Sequence, residues 1–474
     1  MSKVLLVDTI ISDKHEGPRI AIVSLASALR DSGIGVEIKQ FNLEEKETNL
    51  EKFREYELKF VSEVIEKSNY CDYLLLSCWT GSWNRTRLTA NKVKQTHPKT
   101  KIVVGGPHVD FAEMYRRHLQ NPLEILAQES PETDIFAYGE CEETVKELMQ
   151  HDVKKTKGLV YRDEHKILNN GWRPLIISLD SLSFPNLRDD ELIEKKWAYI
   201  ESARGCLYSC DFCSEPLRWS NPGKIKTYRR KSPLRIIDEI EYYYGRGISY
   251  FRFTDSTLTL NPDLEKICNV IIQRRLNQKI RWSSFARVNE VLNVPLELLK
   301  ESGCETLLIG FESGSGDRLE EMRKGYSKTQ AYEAVRRLKD LQIKIRGSWI
   351  VGFPDESEED FQATLDFARE LNLDAYAVHA YEDQKTKFNS YQFGLLDFDL
   401  DMPIPAFGEL VELTNKCESG TEMHYLPRIE ASNIALRLSD REKKLFNWIR
   451  RFNEYTKKDQ DYDTKDRFDR IRWK

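Results

Sequence analysis

Cys206, Cys210 and Cys213 stand in Ala203-Arg204-Gly205-Cys206-Leu207-Tyr208-Ser209-Cys210-Asp211-Phe212-Cys213, a CxxxCxxC run in a chain of 474 residues. Iron–sulfur clusters are held by cysteine thiolates, and a full set is four. Three cysteines leave one iron of a 4Fe–4S cube without a protein ligand. An open position on a metal centre is where a substrate or cofactor binds. The competing readings are a structural zinc site and buried free thiols. A closed zinc site wants a fourth Cys or His nearby, and the next cysteine is Cys268.

Two alternating patterns flank and position these cysteines. Over roughly the first 155 residues, strand-like runs at Lys3–Val7, Val36–Lys39, Tyr73–Ser77, Lys101–Val104 and Ile135–Tyr138 alternate with helical segments. Ile22, Leu25, Ala26 and Leu29 recur at helical spacing, and Gly33 stops that helix. Such a pattern predicts a parallel sheet with helices on both faces and ligands at the carboxyl ends of the strands. Residues 156–195 read as a connector, with a hairpin-like stretch around Asp163-Glu164-His165. From Trp197 the alternation restarts, with strands expected at Ala198–Ala203, Ser249–Thr254, Ile280–Phe285, Thr306–Phe311, Lys344–Val351 and Ala375–Ala380. Helices are expected at Lys328–Leu341 and Glu358–Leu371, among others. Six such units suggest an incomplete barrel, whose chemistry sits on the loops after the strands. The three cysteines follow the first of these strands.

The CxxxCxxC run, with the aromatic Phe212 just before its third cysteine, resembles the radical S-adenosylmethionine (SAM) superfamily. The resemblance implies a 4Fe–4S cluster whose open iron chelates SAM. Electron transfer then splits SAM to a 5′-deoxyadenosyl radical. Further segments resemble the superfamily's sites in order. Asp255, Ser256 and Thr257 stand where the SAM ammonium is received, although an N-cap would use the same residue types. Arg287, in Trp282-Ser283-Ser284-Phe285-Ala286-Arg287, is suited to the SAM carboxylate, or to an ordinary ion pair. Glu312 and Ser313, in Gly310-Phe311-Glu312-Ser313-Gly314, resemble a turn near the ribose and methionyl groups. Ile350 and Val351, in Gly347-Ser348-Trp349-Ile350-Val351-Gly352-Phe353-Pro354, resemble a segment that packs on adenine.

Residues 1–155 resemble the cobalamin-binding domain that precedes many radical SAM cores. The carriers are Gly105-Gly106-Pro107-His108 and Gly139-Glu140-Cys141-Glu142-Glu143-Thr144, with the Ser77 to Thr80 turn placed near a nucleotide tail. The cofactor contacts implied are Ser77, Thr80, Gly105, Gly106, His108, Gly139 and Glu140. His15, in Asp13-Lys14-His15-Glu16-Gly17, stands near a cobalt-ligand motif that is one residue longer, so cobalt ligation by His15 is not expected. The fold class implied is α/β: an N-terminal Rossmann-like cobalamin domain, a connector at 156–195, a partial (β/α)6 barrel at 196–384, and a mostly helical, substrate-shaping region at 385–474. Relatives often carry a Pro-Gly-Thr-like stretch after the sixth strand; here His379-Ala380-Tyr381-Glu382-Asp383 stands instead, which leaves the substrate open.

Composition bounds the function. Lys and Arg number 72, Asp and Glu 77, for a net charge of −5, which argues against general nucleic-acid binding. The basic run Tyr228-Arg229-Arg230-Lys231 reads as a solvated helix start. No apolar run is long enough to span a membrane. Met1 leads directly into a strand-like run, and six scattered cysteines suit reduced thiols, so a cytoplasmic enzyme is expected. The leading reading is a cobalamin-dependent C-methyltransferase of a peptide or other small substrate, with 4Fe–4S, SAM and cobalamin as cofactors and flavodoxin or ferredoxin as external reductant. The alternatives are a non-methylating rearrangement, dehydration or epimerisation; a methylthiotransferase, for which Cys71, Cys78 and Cys141 supply the number of ligands but not the spacing; and a cobalamin sensor, which would not need the cysteine triad.

Overall fold

The computed structural model describes residues 3–43, 50–79, 82–114, 121–213, 215, 228–353, 355–381, 448 and 451–452. Its first sheet contains β1 (Lys3–Asp13), β2 (Gly35–Leu43), β3 (Tyr73–Ser77), β4 (Lys101–Gly105), β5 (Ile135–Ala137), β6 (Leu159–Asp163) and β7 (Lys166–Asn169), in the order β2-β1-β3-β4-β5-β6-β7. The first five strands are parallel. Strands buried on both faces read as continuous apolar runs. Alternate side chains sort the runs into two layers. Leu5, Val7, Leu74, Leu76, Ile102 and Val104 pack on one face. Val4, Leu6, Leu75 and Val103 pack on the other. The chain order reverses between β1 and β3, which opens a crevice at their carboxyl ends.

The hairpin expected around Glu164 forms, with Asp163 opposite Lys166 and Glu164 at φ 55° in the two-residue turn. β6 runs antiparallel to β5, so residues read as connector add two strands to the first sheet.

The second sheet is wholly parallel. Its strands are β8 (Trp197–Ile200), β11 (Tyr250–Phe253), β12 (Arg281–Ala286), β13 (Cys304–Glu312), β14 (Lys344–Val351) and β15 (Ala375–Ala380), in the order β15-β14-β13-β12-β11-β8. Ile200, Phe251, Trp282, Ile309 and Trp349 face the outer core shared with the surrounding helices. The edge of β8 is covered by the loop that follows β1. Gly17 N donates to Trp197 O at 2.9 Å and Lys196 N to His15 O at 2.8 Å. A side chain at Gly17 would put Cβ 2.8 Å from Trp197 O, so the close approach requires glycine.

The basic run at 228–231 is not a solvated helix start. Arg229–Arg230 forms β10, antiparallel to β9 (Ala203–Arg204). Lys231 is buried, with its Nζ 2.9 Å from both Glu239 carboxylate oxygens. Buried acidic partners draw Arg229 and Lys231 inward, while Arg230 stays exposed, and composition does not reveal such partners. The helix begins only at Pro233, where the Ser232 hydroxyl accepts from Arg235 N at 3.3 Å. The region expected to be helical at 385–474 lies outside the described residues, apart from Trp448, Arg451 and Phe452. Trp448 stacks on Phe361 at 4.7 Å and donates to Glu358 at 2.8 Å.

Candidate functional site

The cysteine loop leaves the carboxyl end of β9 through Gly205, at φ +98°. Cys213 N donates to Cys210 O at 3.1 Å, which folds the loop back on itself. Burial pushes the Cys213 thiol up to about 12 and raises Cys206 above its ordinary value, against the pull of backbone hydrogen bonds. Such thiols surrender their protons only to a strong cation, which is the chemistry of a cluster ligand set. Among the described residues, no three His, Cys, Asp or Glu side chains converge as tightly as a single metal ion requires. A cube takes each thiolate on a different iron and needs no such convergence.

Asp255, just beyond β11, holds the root of this loop. Its carboxylate accepts from Ser202 N at 2.9 Å, Ala203 N at 2.5 Å and the Ser202 hydroxyl at 2.7 Å. Ser256 donates to Glu215 at 3.0 Å, two residues past Cys213. Thr257 donates to Glu290 at 2.6 Å. Asp255 and Ser256 therefore brace the cysteine loop at its two ends, while Thr257 is tied to the helix Val288–Val291.

Burial pushes the Asp255 carboxyl up to about 7, against the opposing pull of its hydrogen bonds from Ser202 and Ala203. A carboxyl whose folded value is raised contributes its stabilisation below its ordinary value and loses it as pH rises to the folded value. Between about pH 4 and pH 7 the unfolded chain gives up this proton while the folded chain keeps it. The contribution of Asp255 to stability is thus expected to fall by a few kcal/mol across that range, at roughly 1.4 kcal/mol for each step of one in pH. Asp255→Asn keeps an acceptor for both amides and is expected to flatten that slope. Urea melts of the two proteins across this range check it.

Arg287 reaches the cysteines directly. Nη1 donates to Cys210 Sγ at 3.0 Å, Nη2 donates to Lys324 O at 2.5 Å, and the guanidinium lies 3.7 Å from the Tyr208 ring centroid. Lys324 had no signature in the sequence. Its buried Nζ sits 2.9 Å from Glu312 Oε1 and 5.6 Å from the Phe212 ring centroid. Only the fold brings residues 212, 312 and 324 together; a lysine before Gly325 in a loop carries no periodicity to read. Glu312 is itself at φ 64°, a left-handed conformation costing about 1–3 kcal/mol in a non-glycine residue. Its carboxylate folds back over Gly310, where a Cβ would lie 2.1 Å from Oε1. Ser313 is buried against the helix Glu358–Leu371, its hydroxyl 3.2 Å from Thr364 Oγ1. Ile350 shares the half-buried face of β14 with Arg346 and Ser348. Val351 points the other way, into the core between sheet and helices, because neighbouring strand residues alternate faces. The expectation that both residues pack on one ligand is corrected accordingly.

At the first sheet, Ser77, Gly105 and Gly139 stand at the carboxyl ends of β3, β4 and β5, while Thr80 lies outside the described residues. Gly106, at φ +104°, would place a Cβ 2.8 Å from Cys78 O, so two strand-end loops meet there backbone to backbone. The Thr9 hydroxyl lies 3.0 Å from Ser82 Oγ and 2.8 Å from Thr86 Oγ1, beside the start of the helix Trp83–Thr96. Asp8 is neutralised by Arg19 at 2.6 Å, and Trp79 exposes its indole at the same edge. Close-approaching glycine backbone and an exposed flat ring at the strand ends fit a large, flat ligand, with the buried Thr9, Ser82 and Thr86 hydroxyls holding the loops beneath it. His108 is buried with its ring stacked on Trp83 at 4.5 Å. His15 Nδ1 lies 3.0 Å from Glu194 O, in the loop leading to β8. Glu140 bonds to arginines of the second sheet's region, Arg204 Nη1 at 2.9 Å and Arg229 Nη1 at 2.8 Å.

Comparisons with known proteins agree with this arrangement. The radical SAM superfamily matches residues 200–368, and the B12 binding domain matches residues 7–149. An uncharacterized methyltransferase of Pyrococcus horikoshii is 31% identical over 66% of this chain and 67% of its own length. An anaerobic magnesium-protoporphyrin IX monomethyl ester cyclase of Cereibacter sphaeroides is 28% identical over 57% of this chain and 45% of its own. In fold, the chain is similar to the radical SAM methyltransferase TsrM from Kitasatospora setae, with a TM-score of 0.62, 18% identity, and coverage of 80% of this chain and 75% of that one. The cobalamin-dependent SAM radical enzyme OxsB gives 0.57 at 17% identity, covering 96% and 72%. The radical SAM domain implies a 4Fe–4S cluster and SAM, and the B12 domain implies cobalamin. Among the described residues no helix is long and apolar enough to cross a membrane. With a cysteine triad at the mouth of one parallel sheet and a glycine-lined strand-end crevice on the other, the chain belongs to the B12-binding radical SAM enzymes.

Proposed function

We propose that the protein is a cobalamin-dependent radical SAM C-methyltransferase acting on an unactivated carbon of a peptide or natural-product substrate. The observation that carries the reading is the braced cysteine loop, with Arg287 on Cys210 and Lys324 beside Phe212, in the same chain as the crevice of the first sheet. When bound, the cluster supplies the electron that splits SAM, and the corrin supplies a methyl donor. Cys206, Cys210 and Cys213 would hold the cluster, and the crevice at Ser77, Gly105, Gly106 and Gly139 would hold the corrin. Arg287 keeps the loop in register through Cys210 and presents a cation beside the SAM carboxylate. The Asp255-Ser256-Thr257 turn, Glu312 and Ser313 frame the polar end of SAM, and Ile350 offers an apolar surface to adenine. Phe212 and Tyr208 limit water at the loop. A one-electron carrier such as flavodoxin or ferredoxin supplies the reductant, in the cytoplasm.

Anaerobic reconstitution with hydroxocobalamin, a reductant and SAM carrying a deuterated methyl group tests this without knowledge of the substrate. The expected result is 5′-deoxyadenosine together with label on the protein-bound cobalamin. A second reading, a non-methylating rearrangement, is favoured by the similarity to the cyclase. It predicts 5′-deoxyadenosine with no label on the cobalamin, and that outcome would displace the first.

A further inference from the structure

The loop after β5 and the loop that carries the cysteines meet in a buried cluster of charges. Glu140 follows Gly139 directly, and Arg204 precedes Gly205-Cys206. Arg204 Nη1 donates to Glu140 Oε1 at 2.9 Å, Nη2 to Glu142 Oε1 at 2.7 Å, and Nε to Glu201 Oε1 at 2.8 Å. Arg229 Nη1 lies 2.8 Å from both Glu140 oxygens, and Ile176 N donates to Glu140 Oε2 at 2.6 Å. The Glu140 side chain is 2% exposed, and those of Arg204 and Arg229 are 5% and 6%. One carboxylate thus ties together the first sheet, the stretch between the sheets, and both short strands, β9 and β10, at the root of the cysteine loop.

We propose that Glu140 is a positioning residue that locks the strand-end crevice of the first sheet to the cysteine loop and so sets the separation of the two cofactor sites. This assignment rests on the functional reading for what the sites hold, but not for the lock itself. An exposed ion pair would let the loops slide, since such pairs are weak. A buried, multiply hydrogen-bonded one does not, because parting it strands uncompensated charge in the interior. Burial works against the Glu142 carboxylate, yet Arg204 holds it below its ordinary value, so Arg204 stays saturated with carboxylate partners. Glu140 was expected to touch cobalamin; its carboxylate instead spans the two units. A position committed in this way transmits a shift in the crevice to the residues immediately before Cys206.

The test is amide hydrogen exchange on the full chain with Glu140→Gln, and with Glu140→Gln/Arg229→Met, which also removes one of the cations that Glu140 faces. Without cofactors, the amides of residues 205–213 are expected to exchange about tenfold faster or more in both variants, while β1 and β13 keep wild-type protection. On adding hydroxocobalamin, exchange at 205–213 is expected to slow in the wild type and not in the variants. Wild-type protection of 205–213 in a folded variant, or slowing by hydroxocobalamin that survives there, would overturn the proposal. Faster exchange throughout both variants would also overturn it in favour of a purely structural role. If hydroxocobalamin binds no form of the protein, the functional reading fails, while the cofactor-free comparison still decides the role of Glu140.

Discussion

Replacing Cys206, Cys210 and Cys213 together by alanine is expected to remove all iron–sulfur absorbance after anaerobic reconstitution and all cleavage of SAM. The effect is large because, among the described residues, no substitute set exists nearby. Cys268 and Cys304 are buried in the outer core, and Cys71, Cys78 and Cys141 belong to the first sheet's domain. The fold should survive. The triad sits on a loop beyond the strands, and the two layers flanking the first sheet contain none of it. Iron analysis, visible spectra and a far-ultraviolet circular dichroism spectrum check the three parts together. Retained cluster in a folded triple variant would remove these cysteines from the ligand set.

Much of this architecture was legible because burial on both sheet faces writes itself into the sequence. Tyr73–Ser77, Lys344–Val351 and Ala375–Ala380 form strands at the boundaries expected, and Glu358–Leu371 forms its helix. Each is an apolar run or an apolar period bounded by a clear stop, such as Asn372 at φ 44° after that helix. β1 runs to Asp13, well past the expected Val7, because a register shift between Asp8 and Ile11 lets the strand continue beyond its apolar core. A bulge leaves no period to read. The buried cations were the larger failure. Arg229, Lys231 and Lys324 look like surface residues in composition, and each is buried against a carboxylate 89, 8 and 12 residues away in sequence respectively. Motif spacing pointed to glycines and hydroxyls at the strand ends but not to their partners. Asp255 grips backbone 52 residues earlier, and Ser313 meets Thr364 on a helix. Such pairings follow from strand order, which no local pattern encodes.

Lys324→Met is expected to destabilise the second sheet's domain by about 3–5 kcal/mol, the cost of leaving one member of a buried ion pair without its partner. The pair is deep: Lys324 and Glu312 side chains are 4% and 8% exposed, with Nζ 2.9 Å from Oε1. Glu312 has no easy retreat. Its backbone is held at φ 64°, and Tyr326 donates its hydroxyl to the carbonyl of the preceding Phe311. The same lysine's carbonyl receives Arg287, whose other amine lies on Cys210. Loss of the amine therefore loosens one connected path, from Glu312 through Lys324 and Arg287 to the cysteine loop, and SAM affinity should fall with stability. Lys324→Met/Glu312→Gln removes both charges and is expected to recover most of the stability, as buried pairs replaced by neutral groups commonly do. It should not recover SAM affinity, because the carboxylate proposed to face SAM is gone. Urea melts and SAM titration of the two variants separate these effects. Recovery of both quantities in the double variant would show that Glu312 serves the fold alone.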